Sequence, residues 1–542
     1  MTAGLTFGFQ HGDRPVPHAA GSRSPVLGMN GMVATSQPLA SVAALTVLQD
    51  GGSAVDAAIA AAAVLNVVEP MMTGIGGDMF ALVFIQADGR PVALNGSGWS
   101  GSKATYDFFK SRGITEMPGS GMHAVSVPGA VAGWFALHQR YGTLPMSRLL
   151  EPAIHYAENG YPVSEIIAEQ WRRNEDKLNK TADAATTYLI DGRAPRHGEV
   201  FKQPNLARSF RRIAQGGRDA FYQGGIAKQI VDYSDRNDGL LTPADFTDYD
   251  VLWMEPVSTN YRGYDVYELG ANTQGLVVLE ILNIVEGYDL KSLGHNSAEY
   301  LHLLIEAKKL AFADRDAYIA DPHKAHVPVD RLISKDYAAD RRTLINRRHA
   351  MPSPHPGLSE DGDTVYLTVV DRHRNAVSFI NSLFAQFGSG CVAGDTGICL
   401  QNRASSFALN PNHPNRVEPR KRPFHTLIPA MVLKNGKLCF SFGVMGGDMQ
   451  PQGHVQVILN MIDFGMDAQQ AGEAPRFRHT ADGVALESGI GPDVRSVLID
   501  KGHRVINAVD AYGGYQGVLI DPSSGALMGG SDPRKDGLAI GW

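Results

Sequence analysis

Cysteine is scarce in this chain, which contains only Cys391, Cys399 and Cys439 among its 542 residues. Three cysteines cannot all pair, and each lies in an apolar run, so we expect them to be reduced and buried. The chain has no Cys-x-x-Cys pair, which argues against a zinc ribbon or a thiol redox centre.

An excess of positive charge and a long apolar run are also missing. The 49 basic residues are outnumbered by 56 acidic ones, so nothing favours nucleic acid or an anionic membrane as a partner. The longest apolar stretch, at about 55–68, contains Asp56 and Asn66 and is too short to span a bilayer. The first residues show no basic segment followed by an apolar core, as a secretory signal would. We therefore expect a cytoplasmic protein.

Several common catalytic motifs are absent as well. Gly74-Ile-Gly-Gly77 lacks the Lys-Ser/Thr pair of a P-loop and the distant acidic residue of a dinucleotide fold. The chain has neither G-x-S-x-G nor H-E-x-x-H, which argues against a nucleophile elbow and a simple zinc protease. No internal repeat or low-complexity tract occurs, and an apolar content of 44% is typical of a globular protein.

What the chain does contain is an abrupt change of composition between Asp363 and Thr364. Residues 346–363 are polar and rich in proline and glycine, so they are predicted to form an exposed loop. Residues 364–371 are mostly β-branched or aromatic, and a short turn separates them from a second apolar run, 376–380. This pattern predicts a β-hairpin whose first strand begins at Thr364.

A loop that leads into a threonine at the start of a core strand is the arrangement of a self-cleaving hydrolase precursor. Cleavage before Thr364 would give one residue both a hydroxyl nucleophile and a free α-amine as its base. The reference pKa of an α-amine is about 8, so much of it is neutral near physiological pH. On local sequence alone, an ordinary strand threonine is the commoner explanation, because threonine is frequent in strands.

A second glycine-rich turn, Gly443-Val-Met-Gly-Gly-Asp448, lies between a predicted strand and a predicted helix. Acyl transfer needs donors aimed at the developing oxyanion, each contributing on the order of 3 kcal/mol. The backbone N–H groups of Gly446 and Gly447 could supply them, although a plain strand-to-helix turn explains the same residues.

A short basic cluster is formed by Arg416, Arg420, Lys421 and Arg422. A solvated surface is the simpler interpretation, and attraction of an acidic substrate is the alternative.

Apolar periodicity predicts the surrounding elements. Helices are predicted at 38–48, 54–67, 132–141, 146–159, 298–320, 455–462 and 467–474, and strands at 79–85, 91–95, 518–520 and near Val484 and Val505. Helices around strand hairpins indicate a layered α/β body. The length would allow three or four ordinary domains, but no linker divides the chain apart from the loop before Thr364.

Taken in order, the motifs of the chain resemble those of the gamma-glutamyltransferase family of N-terminal nucleophile hydrolases, and the resemblance covers almost the whole chain. The segments that resemble large-subunit signatures are 32–41, 51–58, 74–78, 127–130, 141–145 and 313–316. Those that resemble small-subunit signatures are 364–371, 387–390, 394–397, 422–423, 446–447, 474–476 and 531–534.

The resemblance implies an α/β (α+β) fold, a four-layer αββα sandwich made of two subunits. It implies autocleavage between Asp363 and Thr364 into a large subunit, 1–363, and a small subunit, 364–542, with a processing loop at about 346–363. The site residues that it implies are Thr364 as nucleophile and base, Ser382 as a supporting hydroxyl, and Gly446 and Gly447 as oxyanion donors. No metal or organic cofactor is implied.

The chain departs from the family pattern where γ-glutamyl substrates are held. Ser97 stands at the position of an arginine that binds the α-carboxylate, and Ser406 at that of an aspartate that binds the α-amine. Phe384 replaces an asparagine, and His425-Thr426 replaces a serine pair. Losing two charge-assisted contacts, each contributing about 1.5–3 kcal/mol, predicts weak activity on glutathione.

Two further departures point to another substrate. Arg403 stands at the position of a glutamyl-binding glutamine and could anchor a carboxylate from a different direction. The segment that forms a lid in some members is shortened to about 408–417, so water should reach the acyl-enzyme easily. The pattern is closer to a divergent branch of the family that includes cephalosporin acylases and an oxamate amidohydrolase.

We therefore expect a self-processing threonine amidohydrolase that cleaves a small acidic amide or an acyl side-chain amide, with hydrolysis favoured over transfer. Its partners would be a small-molecule amide and the two subunits of one precursor. Further pairing into a dimer of heterodimers is left open by the sequence. Two alternatives remain open. One is a glutathione hydrolase whose substrate contacts come from residues such as Arg403 and His425, and the other is a non-catalytic binding relative.

Overall fold

The computed structural model describes residues 22–352 and 363–542. Most of the predicted processing loop, 353–362, lies outside the described residues, and so does the segment 1–21. Within the described ranges, no helix is both long enough and apolar enough to cross a membrane.

Two seven-stranded sheets form the centre of the fold. The first contains β1 (Val26–Gly28), β8 (Val257–Tyr261), β9 (Tyr264–Glu268), β12 (Ala430–Lys434), β13 (Lys437–Met445), β17 (Gly514–Ile520) and β18 (Leu527–Ser531). The second contains β2 (Met32–Thr35), β3 (Asp78–Phe84), β4 (Pro91–Gly96), β7 (Leu252–Met254), β10 (Asp363–Val370), β11 (Ala376–Phe384) and β19 (Leu538–Gly541). Smaller sheets are built from β5 (Tyr161–Pro162), β6 (Val200–Phe201), β14 (Phe477–Thr480), β15 (Gly483–Leu486) and β16 (Val505–Ile506).

The helices surround these sheets. They are α1 (Pro38–Gln49), α2 (Ala54–Val68), α3 (Tyr106–Ser111), α4 (Ala130–Tyr141), α5 (Met146–Asn159), α6 (Glu165–Arg172), α7 (Glu175–Leu178), α8 (Ala182–Tyr188), α9 (Pro204–Tyr222), α10 (Gly225–Arg236), α11 (Pro243–Thr247), α12 (Gly275–Val285), α13 (Leu290–Leu293), α14 (Ala298–Tyr318), α15 (Val329–Leu332), α16 (Lys335–Arg342), α17 (Met449–Ile462), α18 (Ala468–Glu473) and α19 (Pro492–Asp500).

Both sheets are built from strands of the two parts of the chain, before and after Thr364. The spatial order of the first sheet is β1-β18-β17-β13-β12-β9-β8, and that of the second is β19-β2-β10-β11-β3-β4-β7. In the second sheet β10 pairs with β2 on one side and with β11 on the other, both antiparallel. Each of the two sheets therefore contains strands from before and from after Thr364.

The side chains of β10 show how the layers are packed. Val365, Leu367 and Val369 belong to a core shared with α1, α2 and α5, whereas Tyr366 and Val370 face a core between the two sheets. The outer face of the first sheet packs against α12, α14 and α17. Alternating side chains on a strand point to opposite faces, so the strand contributes to two cores at once. The result is the four-layer αββα sandwich that the resemblance implies.

Most of the predicted elements are confirmed, and the differences have local causes. Helix α5 has the predicted bounds, and α2 begins after a capping box formed by Ser53 and Asp56. Helix α17 begins at Met449, six residues before the predicted start. Pro451 makes this first turn hard to predict, because proline usually interrupts a helix. In the first turn proline is tolerated, since a backbone N–H group at that position would have no helical partner.

Two expectations about burial were wrong in part. Cys391 and Cys399 are buried as predicted, but Cys439 is only partly buried. Of the basic cluster, Lys421 and Arg422 are buried rather than solvated. Lys421 pairs with Glu418, and Arg422 donates to the carbonyl groups of Ser97 and Asp250, so their charges serve internal contacts.

Candidate active site

Thr364 lies in the central hairpin of the second sheet. It follows Asp363, whose backbone begins β10, so the strand starts one residue earlier than predicted. The Thr364 side chain is 1% exposed, and its Oγ1 donates a hydrogen bond to Oγ of Ser382 at 3.2 Å. The paired strands thus hold two hydroxyl groups side by side in a buried position.

The end of β11 has an unusual backbone next to this pair. Phe384 has a φ of 80°, a region that non-glycine residues seldom adopt. Its N–H donates to Oγ of Ser382 at 2.8 Å, and its backbone lies opposite Asp363 across an irregularity in the strand pairing. Ser382 therefore accepts hydrogen bonds from both sides and fixes the hydroxyl group of Thr364.

The glycine turn after β13 has the backbone that its sequence requires. Gly446 and Gly447 have φ values of 115° and 55°, which glycine adopts at little cost. A Cβ atom at Gly446 would lie 3.1 Å from Cα of Gly513, so the turn is also closely packed. Helix α17 begins two residues later, after Asp448.

Gln274 joins this turn to the segment that precedes β12. Its side-chain Nε2 donates to the carbonyl oxygen of Thr426 at 2.8 Å and to that of Gly447 at 3.0 Å. Its Oε1 accepts from Arg315, which also contacts the Asp448 carboxylate at 2.7 Å. Both carbonyl groups are thus held in place by one buried amide.

Arg403 lies on the Thr426 side of this arrangement. Its side chain is fully buried, and it donates to Oγ1 of Thr426 at 3.0 Å. Its guanidinium group lies 3.9 Å from the centre of the Phe384 ring. A chain of direct contacts therefore leads from Thr364 through Ser382 and Phe384 to Arg403.

A buried carboxylate balances the charge of Arg403. Asp78, the last residue of the first glycine-rich motif, accepts from Nε2 of His425 at 2.9 Å and from the amide of Gln401. Burial raises the pKa of Asp78 to about 6, while the nearby Arg403 charge opposes this rise. Burial, reinforced by Arg403, holds the pKa of His425 well below its usual value. His425 is therefore a neutral donor to Asp78.

Ser97 and Ser406 stand where the family pattern has a substrate-binding arginine and aspartate. The two serines have different surroundings. Ser97 donates to Oδ1 of Asn95 at 2.7 Å and accepts from Asn272 at 3.4 Å. Ser406 lines a cavity of about 520 Å³ together with Arg315 and Asp316. The structure thus connects Arg403, His425 and Thr426 in one network. Ser97 lies next to this network, because Asn272 also accepts from the N–H group of His425, whereas Ser406 lines the separate cavity.

Sequence reasoning missed Gln274 and assigned no role to Asp78 or Arg315. Asp78 and Arg315 both lie in segments that resemble large-subunit signatures, 74–78 and 313–316. The sequence therefore drew attention to these two residues but did not indicate what they contact. Gln274 lies between an irregular stretch and α12, and nothing local distinguishes it. Its importance follows from carbonyl groups that lie more than 150 positions later in the chain.

One group of residues in the described ranges has the composition of a metal site. The ligand-type atoms of His302, Glu306 and His503 lie within 4.8 Å of one another. Glu306, however, already pairs with the Lys309 ammonium at 2.8 Å, and Nδ1 of His302 is hydrogen-bonded to His503. Glu306 also accepts from the N–H of Met351, so the cluster holds the first residues of the predicted processing loop.

Comparisons with known proteins give matches over nearly the whole chain. The family model described as gamma-glutamyltranspeptidase matches residues 40–542. The glutathione hydrolase-like YwrD proenzyme of Bacillus subtilis is 42% identical over 95% of this chain and 99% of its own length. The oxamate amidohydrolase proenzyme of Klebsiella pneumoniae is 36% identical over 95% of this chain and 98% of its own length.

A solved structure extends the likeness to the fold. The cephalosporin acylase from Bacillus halodurans has a TM-score of 0.92 at 42% identity, and the match covers 99% of both chains. The chain belongs to the gamma-glutamyltranspeptidase family of N-terminal nucleophile hydrolases and is an enzyme of that family.

Proposed function

We propose that this chain is a precursor that cleaves itself between Asp363 and Thr364 and then hydrolyses amide bonds with Thr364 as nucleophile. The observation that carries the proposal is the buried hydroxyl pair of Thr364 and Ser382 at the start of a central strand. Relatives over nearly the full length are named proenzymes, which supports large and small subunits of 1–363 and 364–542.

The chemistry follows from what cleavage releases. The new α-amine of Thr364 takes the proton from its own Oγ1, and the oxygen attacks the amide carbonyl carbon. The N–H groups of Gly446 and Gly447 donate to the resulting oxyanion. The carbon–nitrogen bond breaks, and the leaving amine takes the proton from the α-ammonium group. Water then attacks the ester carbonyl in the same way, releasing the acid and regenerating the Thr364 hydroxyl.

We assign the acyl side of the substrate to the surroundings of Arg403. A buried guanidinium group next to Phe384 and Thr426 is suited to a carboxylate, because charged hydrogen bonds strengthen away from water. Thr426 adds a hydroxyl group. Neutral His425 donates to Asp78 and so positions this carboxylate near Arg403. A small dicarboxylic monoamide or a dicarboxylic acyl group on a larger amine would meet these requirements.

Hydrolysis should exceed transfer because the segment that forms a lid in some members is short in this chain. The shortened segment 408–417 is a compact loop in which Ala408 and Asn415 are hydrogen-bonded through their backbones. The Asn415 side chain bonds to the carbonyl oxygen of Ser406 and the N–H of Phe424. Because this loop is short, we expect water to reach the ester in the mature enzyme. More transfer product than acid at modest acceptor concentration would contradict this assignment.

Mass spectrometry of the intact protein tests self-cleavage. Wild-type protein is expected to give two fragments that meet between Asp363 and Thr364, whereas Thr364→Ala stays one chain over days. Thr364→Ser retains a hydroxyl group and should still cleave, which separates lost chemistry from lost folding. A single uncut chain in both wild type and Thr364→Ser would favour a non-catalytic binding relative.

Substrate preference decides between the two enzymatic functions. Glutathione hydrolysis is the second candidate, because a relative at 42% identity is named glutathione hydrolase-like. Rates on γ-glutamyl-p-nitroanilide, glutaryl-p-nitroanilide and oxamate should be compared with the mature enzyme. We expect the glutaryl compound or oxamate to be preferred, since Ser97 and Ser406 offer no charge to a free amino acid. Preference for the γ-glutamyl compound would support the second candidate.

A further inference from the structure

Strands β10 and β13 face each other across the core between the two sheets. Strand β10 begins beside Thr364, and β13 ends at Met445, directly before Gly446. The hydroxyl groups of Thr368 and Ser441, one from each strand, lie 2.7 Å apart and are fully buried. The strands that carry the proposed nucleophile and lead into the proposed oxyanion donors are therefore in direct contact.

The next contact between these strands is made by the ring of Tyr366 and the backbone of Gly443. A Cβ atom at Gly443 would lie 2.5 Å from Cδ2 of the ring and 2.8 Å from its Cζ. Carbon atoms in good contact are about 3.5–4.0 Å apart, so alanine would not fit beside this ring. Gly443 does not have a positive φ. Glycine is thus required at this position by the ring and not by the backbone conformation.

The hydroxyl group of Tyr366 holds the ring in this place. It lies 2.6 Å from Oγ of Ser378. Ser378 Oγ accepts from the N–H group of Ala430 at 3.0 Å and donates to the carbonyl oxygen of Phe442 at 3.4 Å, so Tyr366 is the donor in its own pair with Ser378. Because Phe442 directly precedes Gly443, both ends of the Tyr366 side chain are tied to β13.

The register of the facing strands extends to the nucleophile. The contacts made by Thr368 and Tyr366 are two residues apart on β10, and their partners are also two residues apart on β13. Side chains two residues apart on a strand point to the same face. One further step of two residues on each strand leads from Tyr366 to Thr364 and from Gly443 to Met445, the last residue before the glycine turn.

We infer that Tyr366 is a positioning residue for the proposed reaction. Its ring, packed on Gly443, sets the separation between Thr364 and the glycine turn. The inference rests on the proposed function, in which Thr364 and the glycine turn act on the same carbonyl group. A displacement of about 1 Å in such an arrangement can lower the rate about a hundredfold. A change in this separation should alter kcat more than KM, because the residues assigned to substrate binding lie on other segments.

A change at Gly443 and a compensating change at Tyr366 test this contact. Gly443→Ala places a methyl group against the ring, and it should lower kcat about tenfold to a hundredfold with little change in KM. Tyr366→Val removes the ring atoms that this methyl group would meet. In the double variant kcat should recover about fivefold or more relative to Gly443→Ala, whereas independent effects would multiply. The assay uses whichever of the three test amides wild type hydrolyses fastest.

Gly529→Ala is the matched control, because Gly529 is another buried strand glycine of the same sheet, in β18. A Cβ atom there would lie 2.6 Å from Sδ of Met32, so this variant also crowds a side chain between the sheets. It should lower thermal stability and leave kcat unchanged. Equal losses of kcat in Gly443→Ala and Gly529→Ala would overturn the inference.

The double variant decides the inference even if Gly443→Ala is not cut. Adding Tyr366→Val should then restore cutting, as followed by intact mass. An unchanged kcat in Gly443→Ala, or a double variant that is no better than Gly443→Ala in kcat and in cutting, would overturn the inference.

A wild type that neither cuts itself nor hydrolyses an amide would count against the proposed function instead. Urea unfolding of wild type, both single variants and the double variant would then test the contact between Tyr366 and Gly443. Residues in contact change the free energy of unfolding non-additively, so additive changes would overturn the inference.

Discussion

At the scale of single residues, we propose that substrate choice depends on the charge of Arg403. Its guanidinium group is fully buried, and it contacts Thr426 and the Phe384 ring. Arg403→Gln should raise KM for glutaryl-p-nitroanilide about tenfold to a hundredfold, the range of one charged hydrogen bond. The neutral pentanoyl-p-nitroanilide should show little change.

Arg416→Gln serves as the control for this experiment, because Arg416 is exposed and pairs with Glu418. Steady-state kinetics on both anilides with the processed enzymes would measure the effect. An unchanged KM for the glutaryl compound in Arg403→Gln would exclude Arg403 as its anchor.

Glu69 gives a pH dependence of stability at the same scale. It accepts from Ser36 at 2.6 Å, and burial raises its pKa to about 7. A carboxyl group whose folded pKa lies above its unfolded value binds more protons when folded, so stability falls as pH rises from about 4.5 to 7. At pH 8 the folded state therefore carries an unfavourable buried charge.

Glu69→Gln should remove this charge and stabilise the protein by about 1–3 kcal/mol at pH 8, with little effect at pH 5. Urea unfolding midpoints at the two pH values would measure it. The exposed Glu255→Gln is the control, and it should shift neither midpoint. A Glu69→Gln effect that is the same at both pH values would contradict a titration-based origin.

At the scale of elements, the turn after β13 depends on a side chain from before α12. Gln274 holds the carbonyl groups of Thr426 and Gly447, and the peptide groups of the turn follow that orientation. Gln274→Met should lower kcat about tenfold with little change in KM. Removing an oxyanion donor lowers kcat by about a hundredfold or more, and a donor that is only misaligned should lower it less.

Gln203→Met is the matched control for a buried glutamine. Gln203 also donates from Nε2 to a backbone carbonyl, that of Val67, at 2.7 Å. Both variants should lose similar thermal stability, but only Gln274→Met should lose kcat. If the two variants had equal kcat, Gln274 would contribute to stability alone and not to the alignment of the turn for catalysis.

The elements also show what the sequence could and could not predict. Helix α5 and the hairpin of β10 and β11 were predictable because periodicity and turn residues are local signals. The resemblance supplied the layers and drew attention to Thr364 and the glycine turn. Contacts between distant segments were not predictable. The burial of Arg422 and the bond between Asp78 and His425 depend on distant partners that no local pattern reveals.

At the scale of the whole molecule, the sheets should hold the two products of cleavage together. Strand β10 lies between β2 and β11, and β12 pairs with β9. Fragments 1–363 and 364–542 should therefore elute as one species in native buffer and separate only in denaturant. Size-exclusion chromatography of the cleaved protein would test this, and a small fragment that elutes alone would contradict it.

The pairing of β19 with β2 has a consequence for the timing of biosynthesis. Strand β2 pairs with β10 on one side and with Leu538–Gly541 on the other, so the sheet around Thr364 is completed only by a strand made late in translation. A ribosome-bound chain that stops before Leu538 lacks this neighbour. Pairing between such distant segments forms slowly. We therefore expect a nascent chain that lacks β19 to be cut more slowly at the proposed cleavage position, because the sheet that carries Thr364 is then incomplete.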